Sequence, residues 1–102
     1  MKIKYVSKYK KTITFHLDIT YELVSEKSRC KGGARSVGMN ALRECARICD
    51  LNLSLLFLVA RQDSGYCNGD KCKCYCYPDL YQDGMCPQEY WSNDDLYRIK
   101  HW

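Results

Sequence analysis

A chain of 102 residues, 46% hydrophobic and 27% charged, is one domain or a small domain with an added segment, and burial alone stabilises a domain of this size only thinly. Eight cysteines bring it near the density of a secreted disulfide scaffold. The longest apolar run, Leu55–Ala60, falls far short of the roughly 20 residues needed to cross a bilayer as a helix, and a pI of 8.6 without a recognised binding module argues against a nucleic-acid partner.

Residues 1–29 contain no cysteine and carry the whole net charge of +4, with seven Lys or Arg against three acids. Lys2, Lys4, Lys8, Lys10 and Lys11 follow Met1 without the apolar run of a signal peptide; cysteine usage favours a mature secreted chain to which Met1 has been added, the alternative being a true start of a cytosolic protein. The lysines suit an anionic membrane surface or an acidic protein face, or simply a solvated edge strand. Ile13, Phe15, Leu17, Ile19, Tyr21 and Leu23 alternate with Thr14, His16, Asp18, Thr20 and Glu22. This period of two predicts strand with one buried face, as one long strand or as two turning near Lys10 and Lys11.

Residues 30–39, with three glycines, read as a loop. Asn40 then offers an N-cap, with Ser36 a competing start, and Ala41–Asp50 reads as a helix. Leu42, Cys45, Ile48 and Cys49 share one face of it. Residues 51–64 are ambiguous: Leu51, Leu53, Leu55, Phe57 and Val59 alternate as in a strand, yet the leucine-rich run also suits a continued helix, and the helix is expected to end near Leu53.

Asn68-Gly69 marks a hairpin. Beyond it Cys72, Cys74 and Cys76 share one strand face while Lys73, Tyr75 and Tyr77 share the other. Residues 78–102 read as a polar tail carrying Cys86, Tyr81, Tyr90, Trp91, Tyr97 and Trp102, and Trp91 is expected to pack back on the sheet. The chain thus divides into an N-terminal β extension (1–29), a cysteine-stapled unit (30–86) and a C-terminal tail (87–102).

Cys45-x3-Cys49 on a helix presents two sulfurs about one turn apart, and Cys-x-Cys on a strand presents two about 6.5–7 Å apart on one face. The match predicts two side-by-side bridges, Cys45–Cys72 and Cys49–Cys74. Cys67 then reaches back to Cys30, leaving Cys76 with Cys86. A metal site is the rival: Cys67, Cys72, Cys74 and Cys76 supply four thiols in ten residues, with His16 or His101 as nitrogen donors. A row of sulfurs along one strand suits tetrahedral coordination poorly, so disulfides are expected and no metal or other cofactor.

At these residues the chain resembles a known group. Cys45-x3-Cys49 followed by Gly65-Tyr66-Cys67-x4-Cys72-x-Cys74-x3-Pro78-Asp79 is similar to the cysteine-stabilised αβ superfamily of defensins and scorpion toxins, nearest to the long-chain scorpion sodium-channel toxins. The resemblance covers roughly residues 30–86. It implies an α+β fold, one helix on an antiparallel sheet, the same bridges as the spacing, and a toxin-like or antimicrobial role on an ion channel or membrane. Cys76, the longer apolar connection from Cys49 to Cys67 and residues 1–29 depart from that pattern.

Catalysis finds little support, because full pairing leaves no thiolate nucleophile and no Gly-x-Ser-x-Gly elbow is present. The chain is expected to be a secreted, non-enzymatic binding protein. Lys71, Lys73, Tyr75 and Tyr77, on or beside the hairpin face opposite the cysteines, are the candidate binding residues, since tyrosine gives rigid contact area and lysine steers toward acidic partners. The alternative is a secreted ligand or effector that binds a protein or forms a homodimer through the β extension and Leu51–Ala60.

Overall fold

The computed structural model describes residues 19–78 and 84–100. Its elements run β1 (Thr20–Ser25), β2 (Ser28–Cys30), β3 (Arg35–Asn40), α1 (Leu42–Leu51), β4 (Leu56–Ala60), β5 (Cys67–Asn68), β6 (Lys71–Cys76), β7 (Gln88–Tyr90) and β8 (Asp94–Lys100). One helix packs on an antiparallel sheet ordered β1-β8-β4-β6-β3, with β5 added to β6, and β2 and β7 pair as a separate ribbon. The α+β expectation holds. Of the alternating N-terminal stretch, residues 1–18 lie outside the described residues.

β4 is the centre of the molecule. All five of its residues are buried, as expected for a strand covered on both faces. Phe57 and Val59 join Cys45, Ala46, Cys49, Cys74 and Ile99 beneath the helix. Leu56 and Leu58 point the other way and join Cys30, Tyr77 and Leu96 beneath the ribbon. Three layers result: helix, sheet and ribbon. Phe57 is fully buried, stacks on Tyr97 at 5.3 Å and meets Tyr21 edge-on at 6.1 Å, geometries that add about 0.5–1.5 kcal/mol per pair beyond the area buried.

The glycines of the expected loop mark irregular strand instead. β3 pairs with β6 from Arg35↔Cys76 to Asn40↔Cys72, with a register shift between Ser36 and Gly38. Gly38, at φ +92°, supplies the left-handed backbone that such a bulge favours. Asn40 is therefore the last residue of β3 and not the N-cap; its side-chain amide donates to the Val37 carbonyl at 3.2 Å. Ala41 occupies the cap position without a side-chain cap.

The helix stops at Leu51, two residues before the expected end. The Leu53 N–H donates to the Asp50 carbonyl and the Ser54 N–H to the Cys49 carbonyl, both at 2.9 Å. This is the Schellman pattern of helix termination. Leu53 takes its left-handed position at φ +62°, where glycine is usual. Strand β4 then begins three residues later.

The supposed polar tail supplies β7 and β8. β8 lies between β1 and β4, with Leu23↔Tyr97 on one side and Leu58↔Leu96 on the other. Its alternation is masked in sequence by Arg98 and Lys100, both of which pair with Glu22. β1 carries a register shift between Leu23 and Ser25; Ile19 and Tyr21 pack under the helix and Val24, of the other parity, on the ribbon side, while Leu23, expected on the buried face, is 47% exposed.

The four disulfides are Cys30–Cys86, Cys45–Cys74, Cys49–Cys76 and Cys67–Cys72. The helix is stapled to the strand after the hairpin turn, as the spacing predicts, but every named pairing is corrected. Cys45–Cys72 and Cys49–Cys74 fail because Cys67 and Cys72 are direct cross-strand neighbours and bond each other. The helix therefore engages the next Cys-x-Cys pair, two residues on. Cys76 is then consumed by Cys49, and Cys30 on β2 takes Cys86, just ahead of its ribbon partner β7, rather than Cys67.

Candidate functional site

Strand β6 carries the candidate binding residues, and their parity is as expected: the cysteines face the helix and the intervening residues face the opposite side. That opposite face is covered unevenly. Lys71 and Lys73 are exposed, Tyr75 is half-buried and Tyr77 is 1% exposed. The cause is the β2–β7 ribbon, which lies over one end of the sheet only.

Tyr77 therefore leaves the binding set. Its hydroxyl accepts from the Cys30 N–H at 2.9 Å and donates to the Cys30 carbonyl at 3.3 Å, so it fastens the ribbon to the sheet. Its backbone carbonyl accepts a hydrogen bond from the Ser54 hydroxyl. A buried phenol with these partners is an anchor and not a contact surface.

At the open end, the hairpin turn places Gly69 at φ +65° in its first central position, the conformation a type II′ turn requires there. Counting back from that turn sets Tyr66 across from Lys73. The Lys73 amide donates to the Tyr66 carbonyl at 3.1 Å, and its ammonium lies 5.1 Å from the Tyr66 ring centroid, a cation–π distance. Met39 on β3 is the Cα partner of Lys73 on its other side and is 42% exposed. Lys71, Lys73, Tyr66 and Met39 thus form one surface, with Tyr75 toward the ribbon.

The ribbon and the start of β8 carry the charged groups that act nearest this surface. The Arg29 guanidinium lies 3.9 Å from the Trp91 ring centroid and pairs with Glu89 at 2.6 Å. Trp91, expected to pack on the sheet, is instead 38% exposed and lies against Arg29 of the ribbon. Asp94, 6% exposed, sits at the start of β8. Burial pushes its carboxyl above the usual range, and Asp95 adds to this; Arg29, Lys73 and a hydrogen bond with Trp91 oppose it. Burial likewise raises the Tyr75 phenol, with Asp94 and Tyr66 contributing.

Arg29, Arg47, Arg61, Arg98 and Lys100 each pair with an acid. Among the described residues, Lys27, Arg35 and Arg43 form no ion pair, and neither do Lys71 and Lys73, so the hairpin presents two uncompensated cations beside aromatic surface. Tyr66 and Met39 escape a reading by strand parity alone. Tyr66 is recoverable by counting three residues on each side of the turn; Met39 requires knowing that residues 35–40 are strand.

The cysteines offer no thiolate here. The sulfurs of Cys45, Cys49 and Cys74 lie within 4.8 Å of one another because two bridges stack side by side, and every described cysteine is paired. His16 and His101 fall outside the described residues. Four disulfides fit an oxidising, extracellular environment, and no described helix is long and apolar enough to cross a membrane. No known family, curated protein or solved structure matches the chain significantly.

Proposed function

We propose that this chain is a secreted, non-enzymatic binding protein that docks the Lys71–Lys73–Tyr66 surface onto an acidic site of a membrane protein, an ion channel in the first instance. The observation that carries the reading is the pair of uncompensated hairpin lysines set beside Tyr66 in a chain whose other described sheet cations are mostly paired with acids. Exposed cations accelerate encounter with an acidic partner, and a half-exposed tyrosine at the centre of a contact is a frequent source of affinity. The helix–strand staple supports the resemblance to defensins and scorpion toxins, in which a comparable hairpin is stapled to a helix. The staple holds the hairpin rigid, which lowers the entropy lost on binding.

Recording voltage-gated cation currents across a panel of excitable cells tests this. The wild-type chain should modify at least one current, with potency falling as ionic strength rises. Lys71→Ala with Lys73→Ala should reduce potency by at least about tenfold, the equivalent of about 1.4 kcal/mol, while Arg43→Ala on the helix leaves it unchanged. A chain that alters no current would remove the channel reading.

A further inference from the structure

Asn52 lies in the turn that ends α1 and is followed by Leu53 and Ser54. Asn-x-Ser, with x other than proline, is the tripeptide that accepts an N-linked glycan. Of the four asparagines in the chain, Asn40, Asn52, Asn68 and Asn93, only Asn52 has a serine or threonine two residues on. Such a tripeptide also arises by chance, so its surroundings decide whether it can be used.

The acceptor stands in the open. Asn52 is exposed, and its chain neighbours Leu51 and Leu53 are each 74% exposed. Its carboxamide nitrogen carries two N–H groups. One donates to the Ile48 carbonyl at 2.8 Å, and the other has no partner among the described residues. The side-chain oxygen accepts from the Arg35 guanidinium at 3.2 Å. A bond from this nitrogen to a sugar, in place of the second N–H, therefore leaves both contacts of the turn intact.

Ser54 is the opposite case. It is 3% exposed, and its hydroxyl donates to the Tyr77 carbonyl. The Cys49–Cys76 bridge beside it holds the end of β6 over the turn. Folding thus hides the hydroxyl that defines the tripeptide. Ser54 precedes Tyr77 by 23 residues, so it is synthesised first and stays open until β6 docks.

We propose that Asn52 is an N-glycosylation site, modified before the Cys49–Cys76 bridge closes and left exposed once the chain has folded. The site rests on the reading of the chain as secreted, because the modification belongs to the secretory route. In the transfer, the Asn52 nitrogen bonds to the anomeric carbon of a sugar carried on a lipid pyrophosphate. The bond from that carbon to the phosphate oxygen breaks, the lipid pyrophosphate leaves with the electron pair, and the displaced amide proton passes to a base of the transferase. Arg35, which holds Asn52, pairs with Cys76, and Cys76 lies five residues, about 17 Å, along β6 from Lys71. The glycan therefore adds bulk and solubility at the end of the molecule away from the hairpin surface.

Expressing the full chain behind a cleavable leader in cultured eukaryotic cells tests this. The secreted protein should exceed the 12.0 kDa of the polypeptide by the mass of a glycan, and peptide mapping should place it on Asn52. Peptide-N-glycosidase should remove the excess and leave an aspartate at position 52. Asn52→Asp, which keeps an acceptor for Arg35, should lose the glycan and retain four disulfides. Given solubilised transferase and a lipid-linked donor, the reduced, unfolded chain should be modified at least about tenfold faster than the oxidised chain, which must first open locally to release Ser54. A secreted protein with four disulfides and an unmodified Asn52 overturns the proposal and leaves the secreted reading standing. Glycan retained by the Asn52→Asp chain, or equal transfer to the oxidised and reduced chains, overturns it as well. Recovery of the chain only inside the cell, with its thiols free, removes the secreted reading and the site with it.

Discussion

The Tyr77 hydroxyl is clasped by both backbone polar groups of Cys30, accepting from its N–H at 2.9 Å and donating to its carbonyl at 3.3 Å. Both residues are 1% exposed or less, so no water can replace the phenol without opening the ribbon. Tyr77→Phe leaves the buried Cys30 N–H without this partner and should cost about 1–3 kcal/mol. Urea unfolding checks the value; a change below about 0.5 kcal/mol would place it among neutral surface substitutions and count against the clasp.

The disulfides should contribute unequally. Cys67–Cys72 closes a separation of five residues and Cys30–Cys86 one of 56. Loop-closure entropy gives about 2 kcal/mol for the first and about 4 kcal/mol for the second. Replacing Cys30 and Cys86 together by Ser should therefore lower stability by about 2 kcal/mol more than replacing Cys67 and Cys72. Paired urea titrations of the two double variants would show it, and a larger loss from the hairpin pair would reverse the ranking.

Two carboxyls should act in opposite directions with pH. The Glu22 carboxyl is held below its usual range, first by its hydrogen bonds from Arg98 and further by the charges of Lys100 and Arg98, against a smaller desolvation. Its contribution is present above its unfolded pKa and is lost as pH falls through the lower folded value. Asp94 has a raised folded pKa, chiefly from burial, so its contribution to stability grows as pH falls through that value and is absent at neutral pH. Glu22→Gln should flatten the acid loss of stability. Asp94→Asn should raise the neutral-pH urea midpoint relative to wild type and narrow the difference near pH ~4. An Asp94→Asn chain that is equally stabilised at every pH would contradict this assignment.

The sequence carried the staple but not its register. Cys72, Cys74 and Cys76 contain two overlapping Cys-x-Cys pairs, and helix spacing fits either. What decides between them is the cross-strand proximity of Cys67 and Cys72, which follows from the two-residue turn. Strand β3 was hidden for a different reason: Gly32, Gly33 and Gly38 look like loop, but Gly38 serves a bulge inside an edge strand. β8 was hidden by its charges, since Arg98 and Lys100 both pair with Glu22, some 76 residues away from Arg98 in sequence. The hairpin lysines were legible from parity. The burial of Tyr77 was not, because the ribbon that covers it brings together residues 28–30 and 88–90, a long-range pairing with no local signature.

The disulfide frame orients the hairpin, and mapping it tests the account most directly. Trypsin cleaves after Arg47 and Lys73 and chymotrypsin after Tyr75, so digestion of the unreduced chain separates Cys45 from Cys49, Cys72 from Cys74, and Cys74 from Cys76. Mass spectrometry should then find peptides joined as Cys45–Cys74, Cys49–Cys76, Cys67–Cys72 and Cys30–Cys86, with no thiol left to alkylate. Peptides joining Cys45 to Cys72 and Cys49 to Cys74, or alkylated cysteines in the native protein, would contradict it.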